Sequence, residues 1–328
     1  MGEGSDVIPV VVMGLGHIGQ AIARAALEKP ELRLVAVIDP AFSGRRLDEV
    51  IGKHAPALSI GGDAARAFEL ARGGIVLHAT GSSFEAVLPH LRSAVAAGLG
   101  VVSTCEELAF PWLRFEKEAD ELDELCEAHG VGVVGAGVNP GFALDRLPAF
   151  LAQVTGPVRH VRAVRVQDAA GRRPALQRKV GLGLTEHAFD AALERGEVGH
   201  VGLADSAALA AYGCGFEVDE VEEETVPLLA EEDVDHPVRI RAGEVAGIHQ
   251  VARGFVDEVE RVRLELTIEL GASDPRDEVE IEARPPVKVT VHGGLPGDEA
   301  TAWAVVNAAP NVAMLHGLLT VMELPAGR

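Results

Sequence analysis

The chain has 328 residues, 48% of them hydrophobic, which is long enough for two packed cores and too apolar for a disordered chain. Its formal net charge of -21 disfavours nucleic acid and anionic membranes as partners. Three cysteines (Cys105, Cys126, Cys214), no basic-then-apolar leader and no apolar run near the roughly 18 residues that span a bilayer lead us to expect a cytoplasmic protein without disulfides.

Through the first 140 residues apolar bursts alternate with amphipathic stretches. Val7–Met13, Leu32–Ile38, Gly74–Thr80, Gly100–Thr104 and Val131–Gly137 read as strands. Ile18–Leu27, Ala64–Arg72, Phe84–Ala97 and Arg114–His129 read as the helices between them. Strands joined by helical crossovers of this length predict a doubly wound parallel sheet of the Rossmann type. Period-two alternation follows in Val158–Ala169, Phe255–Leu270, Asp277–Ala283 and Val287–Gly294, as in a mixed or antiparallel sheet with one wet face. "LTEHAFDAALERG" and "ADSAALAAYG" read as helices, and Glu299–Leu319 as a helix interrupted around Pro310. We therefore expect a dinucleotide-binding domain over 1–140, a second α+β domain over 141–298 for substrate and dimerisation, and a helical segment over 299–328 returning to the first domain.

The first turn carries the strongest motif. Gly14, Gly16 and Gly19 form G-x-G-x-x-G between an apolar strand and a helix, and the next strand ends at Asp39, twenty residues past Gly19. The glycines allow a tight turn, approach of a pyrophosphate and close helix–strand packing. The helix start at His17 and Ile18 offers its N–H groups to phosphate. Asp39 suits the ribose hydroxyls and favours NAD, whereas Arg45 and Arg46 could meet the 2′-phosphate of NADP. Ligands of such sheets lie beyond the carboxyl ends of the strands. Those ends carry small or hydroxylated residues here: Thr80, Gly81 and Ser82, then Ser103 and Thr104, then Val138, Asn139 and Pro140. Glu106 and Glu107 sit at the same edge, where one carboxylate could move protons during catalysis while the other starts the next helix.

Taken in order, "GLGHIGQAIAR", "STCEELAFP", "GVNPGFALD", "RVQDA", "KVGLGLT", "GHVGLADS", "GIHQVARG" and "GGLPGDEATA" resemble the native amine dehydrogenases and 2,4-diaminopentanoate dehydrogenases, a dihydrodipicolinate-reductase-like group. The resemblance implies a homodimeric enzyme that reversibly and oxidatively deaminates an amine to a ketone and ammonia with NAD or NADP. It also implies a catalytic glutamate in the "EE" segment, which maps to Glu106 first and Glu107 second. True dihydrodipicolinate reductases carry a histidine pair and a K-x-D-A-P-S-G-T segment. "RKVGLGLT" keeps Lys179 and Thr185 but has lost the Asp, Pro and Ser, so a cyclic dicarboxylate is disfavoured as substrate.

Substrate-pocket candidates are Val138, Asn139, Phe142, Arg165, Gln167, Lys179, His187 and His249. A diamino-acid substrate would need a fixed cation for its carboxylate, from Arg165, Arg172, Arg173 or Lys179. A small aliphatic or cyclic ketone or aldehyde would not. A protein that binds NAD without turnover is the third alternative. His187, His200, Cys105 and Cys214 do not have metal-ligand spacing, and no metal is expected.

Overall fold

The computed structural model of the protein describes residues 7–235 and 238–326. The chain ends of the expected first and last segments, 1–6 and 327–328, lie outside the described residues. In chain order the elements are β1 (Ile8–Met13), α1 (His17–Glu28), β2 (Leu32–Ile38), α2 (Leu47–Ile51), α3 (Ala64–Leu70), β3 (Ile75–His78), α4 (Phe84–Ala96), β4 (Gly100–Ser103), α5 (Trp112–His129) and β5 (Gly132–Gly135). Then come α6 (Arg146–Ala152), β6 (His160–Asp168), α7 (Pro174–Lys179), α8 (Glu186–Glu194), α9 (Leu203–Gly213), β7 (Glu220–Leu229), β8 (Val245–Val256), β9 (Val259–Glu269), β10 (Arg276–Glu282) and β11 (Val287–His292). The chain closes with α10 (Gly297–Val312) and β12 (Gly317–Leu319).

These elements form two compact units. One comprises the chain up to Phe142 together with the part from Pro296 onward, and the other spans Ala143–Leu295. The first unit holds a wholly parallel six-stranded sheet in the order β12-β5-β4-β3-β1-β2. Its central strands are four- to six-residue apolar runs buried on both faces, which only a sheet covered on both sides tolerates. β1 lies between β2 and β3, so the strand order reverses direction there and opens the crevice in which such folds take ligands.

The second unit holds a mixed sheet in the order β11-β10-β6-β9-β8-β7, where β6 and β9 run parallel and every other pair is antiparallel. Val161 and Ala163 of β6, Ile248 and Ala252 of β8 and Leu264 and Leu266 of β9 enter one apolar core with Phe189 and Leu203 of the helices. The opposite face carries charged side chains, among them Arg162, which pairs with Glu265 at 2.9 Å.

Two stretches fold differently from their sequence pattern. Phe255–Leu270 is not one strand: it turns at Asp257 and Glu258, with φ of 49° and 63°, so that β8 and β9 form a hairpin. The Asp257 N–H donates to Asp219 Oδ2 at 2.8 Å, which holds that turn without a glycine. Glu299–Leu319 is a helix only to Val312. Pro310 sits inside its last turn without ending it, and Gly317–Leu319 pairs with β5 as an edge strand.

Candidate active site

The glycine turn has the geometry of a phosphate cradle. Gly14 has a φ of 91°, and a Cβ there would lie 2.5 Å from the Ala79 carbonyl oxygen at the end of β3. A Cβ on Gly19 would lie 1.9 Å from the Gly14 oxygen, so only glycine lets α1 approach β1 this closely. Around Gly16, its chain neighbours apart, no atom of the described residues lies within 4 Å of a Cβ built there. Its missing side chain is not required by internal packing, and it leaves the backbone open to a ligand. α1 has no side-chain cap and no acid in its first turn, so among the described residues no carboxylate caps the N–H groups from His17 to Gly19. These features fit a dinucleotide pyrophosphate. The His17 imidazole itself faces Asp298 Oδ2 at 3.2 Å.

Asp39 braces this turn. Its Oδ2 accepts the Leu15 N–H at 2.6 Å and its Oδ1 the Ala41 N–H at 2.8 Å. Each oxygen retains a further lone pair, enough for ribose hydroxyls. Of the two nearby arginines, Arg46 is held by Asp48 through two bonds of 2.9 and 2.7 Å. Arg45 is exposed, with its guanidinium carbon 5.6 Å from the centre of the Phe42 ring.

At the end of β4 the chain makes a short 3₁₀ turn over Glu106–Ala109. Gly135 of β5 makes room for it, since a Cβ there would lie 2.6 Å from the Leu108 carbonyl carbon. Ser82 ties the turn to the loop after β3: its carbonyl accepts the Cys105 thiol at 3.1 Å and the Glu107 N–H at 3.4 Å. The two glutamates then part company. Glu107 Oε2 accepts the Phe84 N–H at 2.7 Å, capping the first turn of α4. Glu106 is half-buried, and no hydrogen bond or ion pair engages its carboxylate among the described residues. Burial pushes the neighbouring Cys105 thiol up to about 12, so it is a packing group and not a nucleophile.

Beside this turn two residues expected from the sequence, Thr80 and Ser103, are joined into a polar chain by two histidines that sequence reasoning missed. His78, 1% exposed at the end of β3, has Nδ1 2.8 Å from Ser103 Oγ and Nε2 2.7 Å from Thr80 Oγ1. Nδ1 of His90 on α4 lies 3.2 Å from Thr80 Oγ1 and 3.4 Å from His78 Nε2. Burial first, and then His90, push the His78 imidazole down from 6.5 to about 3, so it is neutral at any ordinary pH. The one local signal was a histidine closing the apolar strand "IVLH"; its partner lies twelve residues on. Gly81, Ser82 and Thr104 complete this edge.

In the loop after β5, Val138 is buried and its N–H donates to Thr301 Oγ1 of α10 at 3.2 Å. Asn139 is half-buried, Pro140 is buried and Phe142 is exposed.

Of the candidates of the second unit, Arg165 and Gln167 meet in the interior. Arg165 is 2% exposed: it donates to Asp277 Oδ1 at 2.6 Å and to the Leu295 carbonyl at 2.8 Å. With its amide oxygen turned toward Arg165, Gln167 accepts from the same guanidinium. Burial lowers the Arg165 pKa and Asp277 opposes that shift, leaving an internal ion pair and not a free cation. Lys179 is half-buried at the end of α7. Thr185 caps α8 by accepting the Ala188 N–H at 3.3 Å, and His187 is exposed on that helix. His249 points away from the apolar core, with Nδ1 3.0 Å from Thr267 Oγ1. Among the described residues no three His, Cys, Asp or Glu side chains gather as a metal site, and no helix is long and apolar enough to cross a membrane.

Residues 142–328 match the family model of the 2,4-diaminopentanoate dehydrogenase C-terminal domain. A 2,4-diaminopentanoate dehydrogenase of Acetoanaerobium sticklandii is 26% identical over 344 residues, covering 98% of this chain and 95% of that protein. Among solved structures, an amine dehydrogenase from Mycobacterium smegmatis superposes with a TM-score of 0.85 at 22% identity, covering 98% of this chain and 97% of that one. A dipicolinate-bound dihydrodipicolinate reductase from Paenisporosarcina sp. TG-14 is similar in fold at a TM-score of 0.53 and 13% identity, covering 94% and 95%.

Proposed function

Since the chain belongs to the family of the 2,4-diaminopentanoate dehydrogenase C-terminal domain, we propose that it is a nicotinamide-dependent amine dehydrogenase, interconverting a small aliphatic or cyclic ketone or aldehyde and ammonia with the corresponding amine. The observation that carries this reading is the division of the glutamate pair: Glu107 is spent on α4, while Glu106 is left half-buried and unengaged at the carboxyl end of β4.

The cradle of Gly14, Gly16, Gly19 and the start of α1 would hold the pyrophosphate of NAD or NADP, and Asp39 the adenosine ribose. The bound nicotinamide supplies or accepts the hydride. Glu106 does the rest of the chemistry. In the direction of amine formation its carboxylate takes a proton from ammonium so that neutral ammonia attacks the carbonyl, and returns a proton to the hydroxyl that leaves as water. The substrate iminium is a cation, and the anionic oxygen of Glu106 stabilises it before hydride arrives. A lysine in that place would repel it. Thr80, Ser82, Thr104 and Asn139 would form the rest of the edge facing the cofactor, whereas Ser103 and Pro140, expected there from the sequence, are buried behind it and support it only indirectly. NAD is favoured because Asp39 points into the turn and Arg46 is occupied by Asp48.

A diamino-acid substrate is the second reading, favoured by the family model and by the Acetoanaerobium relative. Its carboxylate would need a cation other than Arg165, which is spent on Asp277, so Arg172, Arg173 and Lys179 are its candidates. We read the second unit as the substrate and dimer-forming domain of a cytoplasmic homodimer. Following NADH and NADPH oxidation across a panel of ketones and 2-amino-4-oxopentanoate, with and without ammonium, tests these readings. Turnover that requires ammonium and a simple ketone is expected. Turnover of the amino acid alone selects the second reading, and tight NADH binding with no turnover leaves a sensing protein.

A further inference from the structure

The polar chain at the edge of the parallel sheet has a hydrogen-bond polarity that follows from its partners. Ser103 Oγ is fully buried and accepts the Cys105 N–H at 3.0 Å. A buried hydroxyl left without an acceptor is costly, and the acceptor within reach is His78 Nδ1 at 2.8 Å. His78 therefore carries its proton on Nε2. That N–H points at Thr80 Oγ1, 2.7 Å away, so the Thr80 oxygen accepts it. His90 Nδ1 lies 3.4 Å from the same His78 Nε2, so a proton on it would face another N–H; it is therefore the unprotonated ring nitrogen and accepts the Thr80 hydrogen at 3.2 Å. Every proton from Ser103 to His90 has one direction.

Thr80 is exposed just beyond β3, and its methyl lies against the glycine turn: a Cβ built on Gly14 would come within 3.0 Å of it. Its single donor is consumed inside the protein, and one acceptor position remains. We propose that His78 and His90 are positioning residues that fix the Thr80 hydroxyl as a pure acceptor toward the dinucleotide. Such an oxygen recognises an amide N–H or a ribose hydroxyl and rejects a phosphate or carbonyl oxygen. The inference rests on the dehydrogenase reading and names two residues that act through a third.

Two measurements test it. Nitrogen-15 NMR of the free protein should find both His78 and His90 as Nε2–H tautomers; a proton on Nδ1 of His78 overturns the polarity. NADH titrated by fluorescence into the wild type, His90→Phe, Thr80→Val and the double variant should weaken about five- to tenfold in each single variant, the worth of one hydrogen bond. The double variant should lose no more than either single one, because both remove the same contact. The loss should appear in KM for NADH and not in kcat, and His90→Gln, which keeps an acceptor, should recover most of it. Additive losses, or undiminished affinity in His90→Phe, overturn the role of His90. Wild-type protein that binds neither NADH nor NADPH overturns instead the dehydrogenase reading on which the inference stands, while the tautomers report on the chain by themselves.

Discussion

Arg165 in the second sheet and His78 in the first are buried almost equally, at 2% and 1% exposure, yet their surroundings differ in kind. The bonds of Arg165 close on themselves: it donates to Asp277 and to the Leu295 carbonyl, and Asp277 Oδ2 takes the Leu295 N–H at 2.7 Å. Charge and backbone are saturated within the unit, and the segment leading out of β11 is clamped. The bonds of His78 instead run outward to Thr80, an exposed residue just past the carboxyl end of its strand in the parallel sheet. The glutamate pair repeats the contrast at two adjacent positions, Glu107 closed on α4 and Glu106 open. Saturated polar groups hold the chain, while those with capacity left at a strand end are where chemistry is to be looked for.

Substituting the open group should cost the most activity. Glu106→Gln keeps the shape of the side chain and removes the proton acceptor, so kcat should fall by about 10²- to 10⁴-fold with NADH affinity retained. Steady-state kinetics beside a fluorescence titration measure both. A variant that turns over like the wild type would take the proton-transfer role away from this residue.

Breaking the closed pair should appear in stability. Arg165→Met strands the Asp277 carboxylate in the interior, and the expected loss is about 3–5 kcal/mol in urea unfolding. Adding Asp277→Leu should recover only part of it, because the backbone of Leu295 loses partners as well. A loss under about 1 kcal/mol for the single variant would mean that the pair is not the clamp described here.

The same contrast explains what was legible beforehand. The parallel sheet announces itself because its strands are short apolar runs and its turn glycines are spaced by the needs of a phosphate. β7 is hidden, since "EVEEETVPLL" is acidic enough to pass for a solvated loop. The β8–β9 turn is hidden because Asp257 and Glu258 adopt positive φ where glycine or asparagine is the usual sign. β12 is three residues long and acquires its strand character only by pairing with β5. At the site, a division of the glutamate doublet into a proton-transfer group and a helix cap could be read, but the sequence pointed the cap at the next helix, whereas Glu107 caps the preceding one, α4, through a backbone N–H 23 residues earlier in the chain. The partner of Arg165 lies 112 residues away, and those of His78 include Ser103 on the next strand and His90 on the next helix, so neither leaves a local pattern.

A smaller effect separates His78 from an ordinary surface histidine. Its folded pKa of about 3 lies below its usual 6.5, so the unfolded chain binds the proton that the native state refuses. Stability from this residue is complete above pH 6.5 and falls as the pH drops toward 3. Between pH 6.5 and about 5 the loss should be about 2 kcal/mol. His78→Gln, which cannot titrate, should flatten that part of the curve of unfolding free energy against pH. An equally steep curve in the variant would show that other groups set the slope.

The smallest effect is expected at Glu107, and it separates the two carboxylates most sharply. Glu107→Ala removes an anionic acceptor from the first turn of α4 without touching Glu106, so the cost should be that of a lost cap, about 1 kcal/mol in urea unfolding. Activity should fall by less than about tenfold, because the turn is still held by the Ser82 carbonyl through Cys105. If Glu107→Ala were dead while Glu106→Gln turned over normally, the roles would be reversed: the carboxylate seen capping α4 would have to leave the Phe84 N–H to meet its substrate, and the fixed geometry of this turn would be a resting state and not the working one.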